Sequence, residues 1–341
     1  MKMKKWYVLV VAVMFLLTAC GGGSSEPATN NEDNSGNNAE TTVYTLQAAH
    51  SLPADHPYEL SFQKMSEIVN ERTGGRVIIE TFPASQIGAE RELTEGLTFG
   101  TVDLVVSSTA PITNFVAELG VLDLPFLFND RDAAVKVLES EIGDELLAAL
   151  SDQGIIGLSW GENGFRHVTN GIRPIEAPED LRGLKIRTQE NAIHLAAFEA
   201  LGAQPTPMAW TEALTALQQG VVDAQENPAI VADQFNLYEA NQKYMTLTGH
   251  VYSVAIFMMS QETYDKLPQE LADIVVEEGK KIGSYERELI VEMEQESLKK
   301  LREQGMEIIE DVDVQPFRDA ISSVFDSYEE QEFLNRILSA Q

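Results

Sequence analysis

The sequence predicts an α/β fold with two similar lobes joined by a hinge, and three observations support this prediction. Helical and strand patterns alternate along most of the chain after residue 42. Two stretches, ELTEGLTFGTVD at 92–103 and EALTALQQGVVD at 212–223, align without a gap, and each indicates a helix, a glycine stop and a buried strand. The pattern from Pro268 to Gln304 indicates one very long helix. At ~1.5 Å per residue its length is roughly 50 Å, so we expect it to span both lobes.

The N-terminus has the pattern of a secretory signal followed by a lipid attachment site. Lysines precede an apolar run from Trp6 to Leu17, and Leu-Thr-Ala stands directly before Cys20. Cys20 is the only cysteine in the sequence, so no internal disulfide can form. We expect residues 1–19 to be a cleaved signal peptide. Residues 20–42 are expected to be a lipidated cysteine and a flexible tether, because the stretch after Cys20 has almost no apolar content.

The first lobe is predicted from residues 43–164 together with 252–290. Short apolar or alternating runs indicate its strands, and apolar residues repeating every three to four positions indicate its helices. The apolar stretch 252–259 is expected to be a strand that returns the chain to this lobe. The other elements, in order, are strand 43–49, helix 58–73, strand 76–82, helix 89–99, strand 102–107, helix 130–151 and strand 154–160.

The second lobe is predicted from residues 165–251 together with 291–341. It begins near Arg166 and continues through strand 184–188 and helix 191–201. Thr211 is expected to cap the next helix, and Gly220 is expected to stop it. A short strand ending at Asn227 follows, and strand 306–309 and a C-terminal helix from about 315 complete the lobe.

Polar side chains collect at the ends of the predicted elements of the second lobe. In LKIRT at 184–188, Leu184 and Ile186 lie on one face of a strand and Arg187 on the other, at the carboxyl end where open α/β sheets bind ligands. The guanidinium of Arg187 matches the two oxygens of a carboxylate. Trp210 supplies a flat apolar wall, and Asn227 supplies a donor and an acceptor. These groups predict a site for a small organic acid.

The same residues carry a resemblance to a known family. The chain resembles the solute-binding proteins of TRAP (tripartite ATP-independent) transporters of the dicarboxylate-binding type, over essentially all of its length after residue 42. The motifs that carry the resemblance are Asn163-Gly164-Phe165-Arg166, expected to be a turn, LKIRT, MAWTEAL, VDAQENP, AAHSLPADHP at 48–57 and IGAERELTEGLTFGTVDL at 87–104.

The resemblance implies specific roles. Arg187 would clamp the ligand carboxylate with Arg166 in support, the aromatic ring of Trp210 would pack against the ligand, and Asn227 would hydrogen-bond the carboxylate. A membrane-embedded TRAP permease would receive the ligand. We expect an extracytoplasmic, lipid-anchored monomer that needs neither a cofactor nor a metal ion.

Four further residues are candidates for ligand contact. His50 ends the first strand, Glu90 and Arg91 open a helix, and Ser108, beside Ser107, ends another strand. Glu90 either accepts hydrogen bonds from ligand hydroxyls or only interacts with the helix dipole, and the serines suit ligand contact or turn formation equally. With Trp210, these residues favour a polyhydroxylated acid such as a uronate. A C4-dicarboxylate would need a second cation, for which Arg91 is the only nearby candidate.

Charge and motifs limit the alternatives. The formal net charge of −30 argues against nucleic-acid and anionic-lipid binding, and it makes cations in a cleft more conspicuous. Gly157-Leu158-Ser159-Trp160-Gly161 matches the G-x-S-x-G motif, but two Asn-Gly pairs and a proline follow where a nucleophile elbow needs a helix. Ser159 is therefore expected to lie at the end of a buried strand. The alternative function is a lipid-anchored surface enzyme, a hydrolase or lyase acting on similar acids.

Overall fold

A computed structural model describes residues 42–341, and the predicted signal peptide, Cys20 and most of the tether lie outside the described residues. Within this range the strands are β1 (Tyr44–Ala49), β2 (Val77–Phe82), β3 (Leu104–Ser108), β4 (Ile155–Asn170), β5 (Lys185–Thr188), β6 (Gln204–Pro207), β7 (Ala224–Asn227), β8 (Tyr244–Ser260) and β9 (Glu307–Ile309). The α-helices are α1 (Pro57–Arg72), α2 (Glu90–Thr98), α3 (Thr109–Ile112), α4 (Arg131–Leu138), α5 (Glu141–Ala149), α6 (Ala192–Ala200), α7 (Trp210–Gln218), α8 (Ala229–Gln234), α9 (Gln261–Lys266), α10 (Gln269–Glu303), α11 (Gln315–Ala320), α12 (Ser322–Asp326) and α13 (Gln331–Ala340).

The strands form one mixed sheet in the order β2-β1-β3-β8-β4-β7-β5-β6, with β9 beside β8. β1 is parallel to β2 and β3 at one side, and β5 is parallel to β6 and β7 at the other. We call β2-β1-β3, the segments that connect them and the segment from β3 to β4 the first half. We call β7-β5-β6, the segments that connect them and the segment from β7 to β8 the second half. The long antiparallel strands β4 and β8 lie between the halves. This is the two-lobed α/β fold that the sequence predicts.

The strand β4 is much longer than predicted. It continues through Asn163-Gly164-Phe165-Arg166, where a turn was expected, and pairs with β8 from Ile155 to Asn170. The register shifts between Glu162 and Gly164, and Gly164 has a positive φ of 113°. A β-bulge therefore forms at Asn163-Gly164, and the strand continues where the Asn-Gly pair alone would favour a turn. The proposed lobe boundaries at 164 and 251 fall inside β4 and β8.

Two helix predictions are also wrong in detail. The predicted helix 130–151 is divided into α4 and α5, because the Ser140 hydroxyl accepts the Ile142 amide and starts a new helix. The division brings the Leu138 carbonyl oxygen to within 1.9 Å of where a Cβ on Gly143 would lie, so only glycine fits there. Thr211 does not cap α7, which begins one residue earlier at Trp210 after Ala209.

The long helix α10 contacts both halves, as predicted. Near its start, Leu271 and Val275 share an apolar core with Phe62 of α1, and Arg72 pairs with Glu277 at 2.7 Å. Near its end, Leu298 and Leu301 pack in the same core as Leu237, after α8. In the middle, Gly283 lies so close to β4 that a Cβ would be 2.2 Å from the Trp160 carbonyl oxygen. A helix packed this closely couples the two halves through one rigid element.

The C-terminal segment forms three helices rather than one, and its last helix departs from the predicted lobe assignment. Leu334 and Ile337 of α13 pack with Leu146 of α5, and Arg336 pairs with Glu145 at 2.7 Å. Because α5 lies in the segment predicted for the first lobe, residues 331–340 do not complete the second lobe. Their apolar face is instead covered by α4 and α5. Among residues 42–341, none of the helices combines the length and apolar character that a membrane span requires.

Candidate ligand-binding site

A small cavity of about 10 Å³ lies where the two halves of the sheet meet. Its walls come from the loop after β1, the start of α2, the bulge of β4, the ends of β5 and β7, and the starts of α7 and α8. The residues that line it are Ser51, Leu52, Glu90, Asn163, Arg187, Gln189, Trp210, Asn227 and Val231. Four of the residues predicted to contact the ligand, Arg187, Trp210, Asn227 and Glu90, are therefore brought together.

Arg187 is the cation of the cavity. Its side chain is only 2% exposed, and its Nε and Nη2 donate to the Met208 carbonyl oxygen at 3.0 and 2.8 Å. Within the described residues, Nη1 has no hydrogen-bond partner. Burial, together with the nearby charge of Arg166, lowers the pKa of Arg187 to about 10, so the group is still cationic at neutral pH. A buried cation with an unused N–H edge favours an anionic ligand.

Trp210 forms the wall beside this cation. The indole ring lies 5.3 Å from the Arg187 guanidinium carbon, and it packs edge-on against Phe235 with ring centroids 5.0 Å apart. Because α7 begins at Trp210, the indole ring lies at the N-terminal end of this helix. The sequence had instead predicted that Thr211, one position later, caps the helix. The Nε1 of Trp210 is buried without a partner and is free to donate to a ligand oxygen.

Arg166 lies behind the cavity and does not line it. Its guanidinium is fully buried and binds Glu226 in a bidentate pair, Nε to Oε2 at 2.5 Å and Nη2 to Oε1 at 2.8 Å. Burial alone would raise the pKa of Glu226, but the charge and hydrogen bonds of Arg166 hold it well below its usual range. His250 also contacts Glu226, Nε2 to Oε2 at 3.2 Å, and burial lowers the pKa of this histidine. Arg166 is therefore bonded within the protein, and its supporting role in ligand binding stays a prediction.

Three carboxamides line the cavity, of which the sequence predicted only one. Asn227 donates from Nδ2 to Gln225 at 2.6 Å. The Oδ1 of Asn163 and the Oε1 of Gln189 are buried and lack hydrogen-bond partners among residues 42–341. The signal for Gln189 was its position two residues after Arg187, because alternate residues of an extended chain face the same side. Asn163 was missed as a site residue because its motif indicated a turn.

The opposite wall carries a carboxylate. Glu90 is the first residue of α2, and its Oε1 accepts from the hydroxyls of Ser107 and Ser108, both at 3.3 Å. Burial raises the pKa of Glu90, although the charges of Arg187 and Arg166 act in the other direction. Ser108 in turn accepts a hydrogen bond from Gln189 Nε2 at 2.8 Å. This wall presents acceptors and small donors rather than a second cation.

The family model described as "Bacterial extracellular solute-binding protein, family 7", named DctP, matches residues 48–331. The chain belongs to this family. A solute-binding protein of Verminephrobacter eiseniae is 43% identical over 278 residues, which cover 80% of this chain and 82% of that protein.

Two solved TRAP periplasmic solute-binding proteins are similar in structure to this family 7 chain. The protein from a Polaromonas species, bound to D-erythronate, has a TM-score of 0.83 and 39% identity over 87% of this chain and 97% of its own. The protein from Xanthobacter autotrophicus, with bound β-D-galacturonate, has a TM-score of 0.83 and 32% identity over 87% of this chain and 100% of its own. The resemblance to TRAP solute-binding proteins inferred from the motifs is therefore confirmed.

Four predicted site residues of this family 7 protein do not line the cavity: Arg166 and Ser108, whose contacts are given above, and His50 and Arg91. The His50 ring is fully buried and uses both nitrogens, Nδ1 accepting from Leu52 N at 3.3 Å and Nε2 donating to Glu59 at 3.0 Å. This arrangement favours a positioning role for His50, which holds the loop that brings Ser51 and Leu52 to the ligand. Arg91 is exposed, because successive helical residues point about 100° apart and Glu90 already faces the cavity. Arg91 therefore adds no charge to the site.

Ser159 has a structural role in this family 7 protein. It lies inside β4, where its hydroxyl donates to the Gly279 carbonyl oxygen at 2.7 Å and accepts from the Gly283 amide at 3.2 Å. It is 8% exposed and fastens β4 to α10, so the G-x-S-x-G match is not a nucleophile elbow. In the part of the chain that the structure describes, no three histidine, aspartate or glutamate side chains are arranged to hold a metal ion.

Proposed function

We propose that this family 7 solute-binding protein captures a sugar acid, a monocarboxylate with several hydroxyl groups, and delivers it to a TRAP permease. The observation that carries the proposal is the polarity of the cavity. Its wall combines the cation Arg187 with acceptors that suit hydroxyl groups. The D-erythronate and galacturonate in the two similar proteins belong to this chemical class.

The carboxylate would bind at Arg187. The two guanidinium nitrogens already bonded to Met208 fix the plane of the group, and the remaining Nη1 is left for the ligand. Asn227 also lines the cavity, and its Nδ2, which donates one N–H to Gln225, has a second N–H for the other carboxylate oxygen. Trp210 would cover the carbon chain and donate from Nε1. Charge-assisted hydrogen bonds in a buried site are stronger than neutral ones, so these contacts would anchor the ligand.

The hydroxyl groups of the ligand would bind to the acceptors of the cavity wall. Glu90, Asn163 Oδ1 and Gln189 Oε1 are acceptors, and the last two are buried without partners. Hydroxyl donors satisfy such atoms, whereas a second carboxylate would meet the carboxyl group of Glu90 and no cation. This argument favours sugar acids over C4-dicarboxylates. Chain lengths from a C4 aldonate to a C6 uronate fit the same polarity, and binding measurements distinguish them.

The attachment and the permease complete the proposal. The signal pattern and Cys20 support lipid anchoring outside the cytoplasm, and family membership supports a TRAP permease as the partner. A serine-hydrolase form of the enzyme alternative would need Ser159, whose hydroxyl is engaged between β4 and α10.

Thermal shift and calorimetry with D-erythronate, D-galacturonate, succinate and pyruvate test the proposal. A ligand at 100 times its Kd adds about 2.7 kcal/mol to the unfolding free energy. We expect a sugar acid to bind most tightly, in a 1:1 ratio, and to be recovered unchanged. Preference for succinate would contradict the ligand class, and conversion of a bound acid into a product would support the enzyme alternative.

A further inference from the structure

Three residues of the cavity wall are almost completely buried, so we expect a ligand to reach them only when the two halves separate. Arg187 is 2% exposed, Asn227 4% and Gln189 5%. The contacts that must break on opening are therefore as important to binding as those that touch the ligand. Hinged closure around ligands is common in two-lobed binding proteins.

Several of these contacts are carried by one short segment, Gln189-Glu190-Asn191, which we call the clasp. It directly follows β5 and meets the segment 108–123, which begins at the end of β3. Gln189 donates from Nε2 to Ser108 Oγ at 2.8 Å. The Glu190 carbonyl oxygen accepts from Asn114 Nδ2, also at 2.8 Å. The clasp thus joins the second half to the first beside the cavity.

Asn191 makes the largest number of these contacts. Its Nδ2 lies 3.2 Å from the Ala110 carbonyl oxygen, 3.2 Å from Thr113 Oγ1 and 3.3 Å from Asp123 Oδ2. Its Oδ1 accepts from the amides of Ile193 and His194 at 2.8 and 3.0 Å and caps α6. The side-chain oxygen of Asn191 therefore accepts hydrogen bonds within the second half, whereas its side-chain nitrogen donates to the first half.

The clasp is also connected to the ligand site. Gln189 and Arg187 are two residues apart on an extended chain, and both line the cavity. The Nε2 of Gln189 is engaged with Ser108, whereas its Oε1 is buried without a partner beside the cavity. Ser108 donates to Glu90, so Glu90, Ser108 and Gln189 form a hydrogen-bonded chain from one half to the other.

We propose that the clasp holds the protein closed around its ligand, and that Asn191 is a positioning residue that sets the rate of ligand release without touching the ligand. A ligand on Arg187 and Gln189 fixes the end of β5, and the next two residues then reach their partners on segment 108–123. The inference rests on the proposed binding function, but it does not depend on which acid is bound.

Two variants of Asn191 distinguish its contacts with segment 108–123 from its capping of α6. Asn191→Asp and Asn191→Ser keep an oxygen that caps α6, because Asp and Ser are good N-cap residues, but both remove the Nδ2 donor. The carbonyl oxygen of Ala110 and the carboxylate of Asp123 then lose a buried partner on closure. We expect ligand release to be about 10- to 100-fold faster, which corresponds to about 1.4 to 2.8 kcal/mol, with little change in the association rate. The melting temperature of the unliganded protein should change little.

The measurement is stopped-flow binding with the tightest ligand among D-erythronate, D-galacturonate, succinate and pyruvate, and Asn335→Asp is the charge-matched control on the exposed face of α13. Faster release in both Asn191 variants, with a wild-type rate in the control, supports the clasp. Release within twofold of wild type in either variant overturns it, and an effect of Asp alone would show charge repulsion instead. Preference of the wild-type protein for a non-sugar acid refutes the sugar-acid proposal separately, because the clasp comparison uses whichever acid binds.

Discussion

Arg166 and Glu226 form a buried bidentate ion pair, although they lie sixty positions apart in the sequence and neither side chain is measurably exposed. The pair commits Arg166 to the protein and leaves Arg187 as the cation that lines the cavity. The two arginines, which the sequence presents as similar, therefore have different roles. Substitution of Arg187 should therefore lower ligand affinity, whereas substitution of Arg166 should lower stability.

Arg187→Ala should reduce ligand affinity without unfolding the protein. Losing one partner of a desolvated charge pair costs about 2–5 kcal/mol, which corresponds to a roughly 30-fold to several thousand-fold increase in Kd. Arg187→Lys should recover only part of this loss, because an ammonium cannot hold Met208 and present a planar edge together. Calorimetry with the best sugar acid measures both variants. An Arg187→Ala protein that binds within about threefold of wild type would place the carboxylate elsewhere.

Arg166→Ala should damage stability more than Arg187→Ala does. It leaves the Glu226 carboxylate buried without its main partner, at a cost of about 3–5 kcal/mol. Urea unfolding of the ligand-free protein at pH 7 measures this cost. The double variant Arg166→Met, Glu226→Leu should recover much of it, because no unpaired charge is left.

The pH dependence of this pair has a definite sign. The folded pKa of Glu226 is depressed, so its stabilising effect is fully present above the unfolded pKa of about 4.3 and is lost as pH falls through the folded pKa. Unchanged stability of Arg166→Ala at pH 7 would contradict this assignment.

Glu286→Gln should stabilise the protein increasingly as pH rises. Glu286 is fully buried in α10, its Oε2 accepts the Glu162 amide at 2.8 Å, and its Oε1 has no partner. Burial raises its pKa well above the usual value, so the folded chain keeps a proton that the unfolded chain releases above about pH 4.3. Between the unfolded pKa and the raised folded pKa of Glu286, the free energy of unfolding of the wild type therefore falls by roughly 1.4 kcal/mol per pH unit. The Gln variant lacks this loss. Urea unfolding of both proteins at pH 5 and pH 7 tests the difference, and parallel curves would mean that Glu286 is ionised in the fold.

Ser159→Ala should leave ligand affinity unchanged. Its hydroxyl joins β4 to α10, so the loss should be limited to about 1–3 kcal/mol of stability for the unpaired Gly279 and Gly283 groups. Calorimetry and thermal unfolding check both parts. Loss of a hydrolytic activity in this variant would instead revive the enzyme alternative.

Cys20→Ala should leave the protein unprocessed or mislocalised, because Cys20 directly follows Leu-Thr-Ala and is the only cysteine in the chain. Fractionation of cells that express wild type and variant, with detection of the lipid by mass spectrometry, tests this prediction. Ligand binding by the soluble part should be the same in both. A wild-type protein without lipid in a host that processes lipoproteins would disprove the anchor.

The sequence predicted those parts of the site that depend on local pattern. Arg187, Trp210, Asn227 and Glu90 each lie at the end of a strand or the start of a helix, and the structure places all four on the cavity wall. The role of Gln189 depends on Ser108, eighty-one positions away, and no local pattern reports that contact.

The errors in the fold have the same origin. The Asn163-Gly164 pair favours a turn locally. Because β8 pairs with β4 along its whole length, the pair forms a bulge within the strand instead. Leu334 and Ile337 give α13 an apolar face, and its partner α5 is decided by packing that only the folded chain specifies.

The pairing of β4 with β8 has a consequence for dissecting this protein. Each strand begins beside one half of the sheet and ends beside the other, and the two remain paired along most of their 16 and 17 residues. A fragment containing one half would carry severed pieces of both strands and expose long unpaired edges, which promote aggregation. Neither half can therefore be produced as an autonomous folding unit, and the binding site exists only in a chain that spans the whole sheet.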